Sequence, residues 1–160
     1  MLLPAFRHGL GYALQVSAES RETVIERLTA ALEPRLEVLE AYLFGSVARG
    51  SAQAHSDVDV AVFVVDAALA EPGFGYAARL SADLQQALAR SDLDVVILNR
   101  ATPLLYHRVL RDGIRLLSRD LAATTSREGR ALSRYCDDLP RLNMIEKIHR
   151  ARMAAGDFGR

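Results

Sequence analysis

One cysteine, Cys136, stands in 160 residues, which excludes a disulfide within the chain. The fold has to rest on an apolar core, and a chain of this length with 50% hydrophobic and 25% charged residues can supply one in a single domain. No apolar run approaches the roughly 18–20 residues of a membrane-crossing helix, so no membrane partner is expected. The opening Met1-Leu-Leu-Pro-Ala-Phe-Arg-His8 has neither the basic start nor the small-residue cleavage site of a secretory signal. With a lone thiol, these absences point to a cytoplasmic setting. An excess of one charge is missing too: 20 Lys and Arg balance 20 Asp and Glu. That removes the strongly basic domain expected of direct nucleic-acid binding. The balance conceals a split, because residues 1–100 carry 8 basic and 13 acidic side chains while residues 101–160 carry 12 and 7. Two readings stand: an acidic half built around a cation with a basic half for another partner, or ordinary solvated helix faces.

Along the chain the pattern divides into an arm (1–16), a folded unit (17–120) and a helical extension (121–160). The arm is apolar and shows no clear period. Ser17 or Ser20 can cap a helix whose apolar face is Val24, Ile25, Leu28, Ala31 and Leu32. Val38 to Phe44 reads as a strand running into Gly45-Ser46, and Val47 to Ala52 as a short helix. Asp57 to Val65 is apolar after its two acids, as in a strand buried on both faces. Glu71 to Gly75 is a loop, Ala77 to Ala89 a helix and Leu93 to Leu98 a third strand. Thr102 and Pro103 open another helix as cap and first residue, with Gly113 as its stop. Ile114 to Leu117 suits an edge strand. From Leu121 to about Met153 the chain is arginine-rich and helical, with an interruption expected near Pro140. This predicts an α/β (α+β) fold: a small mixed sheet flanked by helices, with a C-terminal helical segment.

The chemistry concentrates between residues 44 and 65. A Gly-Ser turn after an apolar strand can present backbone N–H groups to a phosphate. Asp57 and Asp59, two apart on a strand, project to one side and can share hard cations. Asp94, inside Leu93-Asp-Val-Val-Ile-Leu98, is costly to bury unpaired and could join them; Asp92 competes with it from nearer the loop. Three carboxylates converging would repel one another unless cations intervened, and two Mg²⁺ ions would resolve that conflict. Ser46 suits a terminal phosphate or simple turn chemistry. Arg49 suits phosphate neutralisation or a solvated helix face. His55 can touch a phosphate or metal, or belong to a loop. The series Arg127, Arg130, Arg134, Arg141, Lys147, Arg150 and Arg152 suits a partner surface or solvent. Tyr106 and Tyr135 suit packing better than self-modification.

Gly45-Ser46, ten residues, then Asp57-Val58-Asp59 and a later strand acid resembles the signature of the DNA polymerase β-like nucleotidyltransferases. The contexts Tyr42-Leu-Phe-Gly-Ser-Val-Ala-Arg-Gly50 and Arg111-Asp-Gly-Ile-Arg-Leu-Leu117 are similar to the minimal nucleotidyltransferases, and among them to MntA-type antitoxins. The resemblance spans roughly residues 22–120. It implies Gly45 and Ser46 in binding the phosphates of ATP, the substrate. It implies Asp57, Asp59 and Asp94 as catalytic Mg²⁺ ligands. It further implies AMP transfer to a tyrosine of a cognate HEPN-domain, HepT-like toxin within a hetero-oligomeric complex. Transfer to a small molecule of the aminoglycoside type, or neutralisation by binding alone, are the alternatives.

Overall fold

The computed structural model describes residues 20–53, 56–70, 75–154 and 156. The arm over 1–16, Ser17 as alternative cap, His55 and the loop residues 71–74 lie outside them. Ser20 caps the first helix, α1 (Arg21–Leu32), its hydroxyl accepting from the Thr23 N–H at 3.2 Å. Val24, Leu28 and Leu32, each four apart, make the buried stripe of this helix. Next come β1 (Val38–Phe44), a one-turn helix α2 (Gly45–Ala48), β2 (Val58–Val64), α3 (Gly75–Leu88) and β3 (Leu93–Ile97). Thr102 caps α4 (Pro103–Asp112) by accepting from the Leu105 N–H at 3.3 Å, with Pro103 in the first turn, as the sequence predicts. β4 (Ile114–Ser118) and the 34-residue α5 (Leu121–Ala154) follow.

The four strands form one mixed sheet in the order β3-β2-β1-β4, with β2 and β3 parallel and the other pairs antiparallel. Strand alternation sorts the side chains into two cores. Val58, Val60, Val62 and Val64 of β2 meet α1 and α3 through Leu28, Leu32, Leu80 and Leu84. On the opposite face Tyr42 and Ala61 pack with Tyr106, Val109 and Ala131, so α4 and the start of α5 cover that side.

Two expectations need correcting, and a third holds for a different physical reason. The short helix starts at Gly45 and ends at Ala48 instead of running from Val47 to Ala52. Pro140 does not interrupt the last helix, which continues through it. Pro140 and Cys136 are both exposed, so the Cys136 carbonyl deprived of an N–H partner is open to solvent. Gly113 does end α4, though not as a left-handed cap, since its φ is −87°. A Cβ there would lie 2.3 Å from the Val109 carbonyl oxygen and 3.2 Å from that of Leu43, so close approach is what demands glycine.

The covered face also contains a fully buried carboxylate. Glu40 on β1 is ion-paired with Nε of Arg127 on α5. The guanidinium of Arg127 also lies 4.8 Å over the Phe63 ring. The Tyr42 hydroxyl sits 3.0 Å from Glu40 Oε2 and 2.8 Å from Glu128 Oε1, and its single proton serves both. Arg115 Nη2 donates to Glu128 Oε1 at 2.5 Å. Burial, followed by these carboxylates, pushes the Tyr42 phenol well above the ordinary tyrosine range. Breaking a buried pair leaves the surviving charge unpaired, which costs about 3–5 kcal/mol. Arg127→Leu should therefore lower the unfolding free energy by that order in urea titration. Adding Glu40→Leu should recover part of the loss, because the orphaned carboxylate is then gone.

Candidate active site

The register of the sheet sets the geometry of the acids. Asp59 on β2 lies across from Phe44 on one side and from Asp94 on the other. Phe44 is the last residue of β1, so the chain leaves that strand at the level of the Asp59 carboxyl and turns over it. Gly45 makes this turn with φ +76°. A Cβ on it would fall 1.9 Å from Asp59 Oδ2 and 2.9 Å from its Cγ. Glycine is needed twice here, for the left-handed backbone and for direct apposition to a carboxylate.

Asp57 is exposed and stands one residue before β2, outside the strand. Asp59 is partly buried. Its carboxyl is held above the usual carboxylate range, first by burial, then by the charges of Asp57 and Asp94, with Arg49 opposing. All three acids thus act on one point. The expected burial cost at Asp94 does not arise, because β3 is a sheet edge and Asp94 is exposed on it. Asp92 is otherwise engaged: its two oxygens take Nε and Nη2 of Arg90 at 2.8 and 2.6 Å. Among the described residues, no group of three His, Cys, Asp or Glu forms a finished metal site. The three aspartates offer hard oxygen donors that suit Mg²⁺, an ion commonly held by one or two carboxylates with substrate oxygens completing its shell.

Ser46 follows Gly45 in the turn. Its carbonyl accepts from Ser51 N–H at 3.0 Å, closing the loop that follows α2. Arg49 is half-exposed, with Nη1 3.7 Å from Asp112 Oδ2 at the end of α4. Asp112 is also gripped by Arg111, whose hydrogen bonds hold its carboxyl below the usual range. Nothing local in the sequence marks Asp112 as the residue that fixes Arg49. Of the α5 arginines, Arg127 is drawn away from solvent, while Arg130, Arg134, Arg141, Arg150 and Arg152 are exposed. Arg127 is tied to Glu40, Arg141 to Asp138 and Arg150 to Glu146. Tyr135 stacks on His107 at 3.8 Å between centroids.

Residues 26–122 match the family described as polymerase beta nucleotidyltransferase. A structure described as that of a minimal nucleotidyltransferase is 32% identical, covers 61% of this chain and 97% of its own, and superposes with a TM-score of 0.50. A chain from the structure of a toxin–antitoxin with AMP-PNP is 24% identical over 78% of this chain and 98% of its own, with a TM-score of 0.65. A third comes from a tri-AMPylated Shewanella oneidensis HEPN toxin in complex with an MNT antitoxin, at 21% identity, 81% and 98% coverage and a TM-score of 0.62. No curated protein is significantly similar in sequence.

Gly45→Ala should cost about 1–2 kcal/mol for the left-handed backbone alone, plus the displacement of Asp59. The clash predicts non-additivity: in thermal melts, Gly45→Ala should be milder on an Asp59→Ala background than on the wild type.

Proposed function

The chain belongs to the polymerase β nucleotidyltransferase family, among the minimal nucleotidyltransferases, and from that premise we propose a Mg²⁺-dependent protein adenylyltransferase. It transfers AMP from ATP to a tyrosine hydroxyl of a cognate HEPN-domain toxin and so acts as the antitoxin of the pair. One observation carries the reading: the positive-φ backbone of Gly45 rests directly against Asp59, which is itself the cross-strand neighbour of Asp94. An anion-binding turn and an acidic cluster in contact are what transfer from a nucleoside triphosphate requires.

In this reading the Gly45-Ser46 turn and the Ser46 hydroxyl donate to phosphate oxygens, and Arg49, steadied by Asp112, neutralises their charge. Asp57, Asp59 and Asp94 would hold Mg²⁺, which when bound activates the acceptor oxygen and neutralises the leaving pyrophosphate. The mutual repulsion at Asp59 is the cost of keeping three acids together before any cation arrives. Asp94, exposed on the edge strand, is open to an incoming acceptor. It takes the tyrosine proton as the hydroxyl attacks the α-phosphorus. A new phosphorus–oxygen bond forms while the bond to pyrophosphate breaks, so one AMP is transferred per ATP. A toxin as acceptor is supported by the fold shared with chains from toxin–antitoxin complexes, one of them containing an AMPylated HEPN toxin.

Labelled ATP, Mg²⁺ and a HEPN-type neighbour incubated with the protein should give label on the neighbour. Asp57→Ala should reduce that label by at least about 100-fold, the several kcal/mol that a metal contributes. Toxin neutralisation that survives this substitution would instead mean silencing by contact. Asp94→Asn retaining the wild-type transfer rate would remove Asp94 from the proton-accepting role.

A further inference from the structure

A cavity of about 330 Å³ opens on the same sheet face as the acids but at the other end of β2. Phe63, on its floor, is four residues along the strand from Asp59, or roughly 13 Å at about 3.3 Å per residue. The volume lies at the lower end of small-ligand pockets, which run to about 300–1,000 Å³. Its floor is apolar and aromatic, including Phe63, Tyr106 and Ala131, while its rim carries Arg127, Arg130 and Arg134 from one face of α5.

The polar inventory of this cavity is lopsided. Guanidinium groups only donate hydrogen bonds. Arg127 is already committed to Glu40. Arg130 has only a 3.3 Å contact from Nη1 to the Ser126 hydroxyl, and Arg134 has no hydrogen bond or ion pair with a described residue. Asp66 supplies one carboxylate at the far rim, where it accepts from Asn99 at 3.3 Å. Tyr106 is only 8% exposed, yet its hydroxyl has no hydrogen-bond partner among the described residues. A buried hydroxyl is rarely left so in a native protein without a reason.

We propose that this cavity is a second nucleotide site, taking a nucleoside monophosphate with its base on the apolar floor and its phosphate between Arg130 and Arg134. Tyr106 donates its unused hydroxyl proton to that phosphate. Arginine suits phosphate because its planar fork can donate in pairs. A bare phosphate would leave the floor without a contact, and a plain nucleoside would leave both arginines unanswered. The site is defined without Mg²⁺ and without transfer. If the adenylyltransferase reading holds, it lies roughly 13 Å along β2 from the reacting centre, placed to hold AMP already attached to the acceptor.

The test is calorimetric titration of the full chain with AMP in EDTA, so that Mg²⁺-dependent binding at the aspartates is silent. Saturable one-to-one binding is expected, with adenosine and inorganic phosphate each weaker by roughly tenfold, the worth of a charge-assisted contact. Arg130→Gln with Arg134→Gln should weaken AMP by at least about tenfold and leave the melting temperature unchanged. Tyr106→Phe should weaken AMP while raising the melting temperature of the free chain, a pairing that a purely structural tyrosine would not give. Adenylyl-tyrosine binding more tightly than AMP would identify the transferred nucleotide as the source, and equal or weaker binding the free one; either supports the site. No saturable AMP binding, or AMP binding untouched by the double arginine change, would overturn it. So would tighter binding of an acidic peptide than of AMP.

Discussion

The alternation of β2 is the constraint on which the remaining architecture depends. Val58, Val60, Val62 and Val64 face α1 and α3, so Asp59, Ala61 and Phe63 must face the other way. A register slip of one residue would drive Asp59 into a valine core and expose the valines. The hydrophobic side of the strand therefore enforces the position of the acid on its other side. Parallel pairing with β3 brings Asp94 to the same level, and antiparallel pairing with β1 delivers Gly45 to it. The acids are brought together by a ladder whose stability comes from residues with no chemistry of their own.

The second constraint is the buried Glu40. A carboxylate taken fully out of water requires a cation, and Arg127 supplies it from 87 residues away. The pairing fixes the rotation of α5 about its own axis. That rotation turns Ala131 into the core and sets Arg130 and Arg134 along the rim of the cavity. Tyr42, Glu128 and Arg115 extend the same network to the edge strand β4, so sheet and helix are joined by charge as well as by apolar contact.

What was legible in the sequence had a local cause. Strands β1, β3 and β4 follow from apolar runs bounded by turn residues, and α4 announces itself through Thr102 and Pro103. Gly45 and Asp59 were legible as spacing, and the ladder gives their proximity a physical form. What escaped had distant causes. Asp94 was expected to carry a burial cost, but whether a strand lies at an edge depends on the whole sheet. Nothing near Glu40 says that it is buried, because its partner lies on the last helix. Arg127 read as one member of a basic series, and only packing separates it from the half-exposed Arg49 and the exposed Arg134. Pro140 read as a break because the rule for proline concerns one lost hydrogen bond, whereas a 34-residue helix exposed at that point tolerates the loss.

Among the described residues, helix α5 is gripped in its first half, where Thr124, Arg127, Ala131 and Tyr135 meet the rest of the fold. From 136 to 154 it continues for roughly 28 Å at about 1.5 Å per residue, and every residue from 143 to 154 is exposed. Mechanically this is a cantilever. A sideways load on the free end reaches the root as torque, and the root is the stretch that holds the Glu40 ion pair and the arginine rim. Pro140, just past the gripped portion, lacks the N–H that would stiffen that turn, so bending concentrates there and spares the clamp. The exposed length can thus be pulled or tilted through a compliant joint before the ion pair beneath the sheet has to yield.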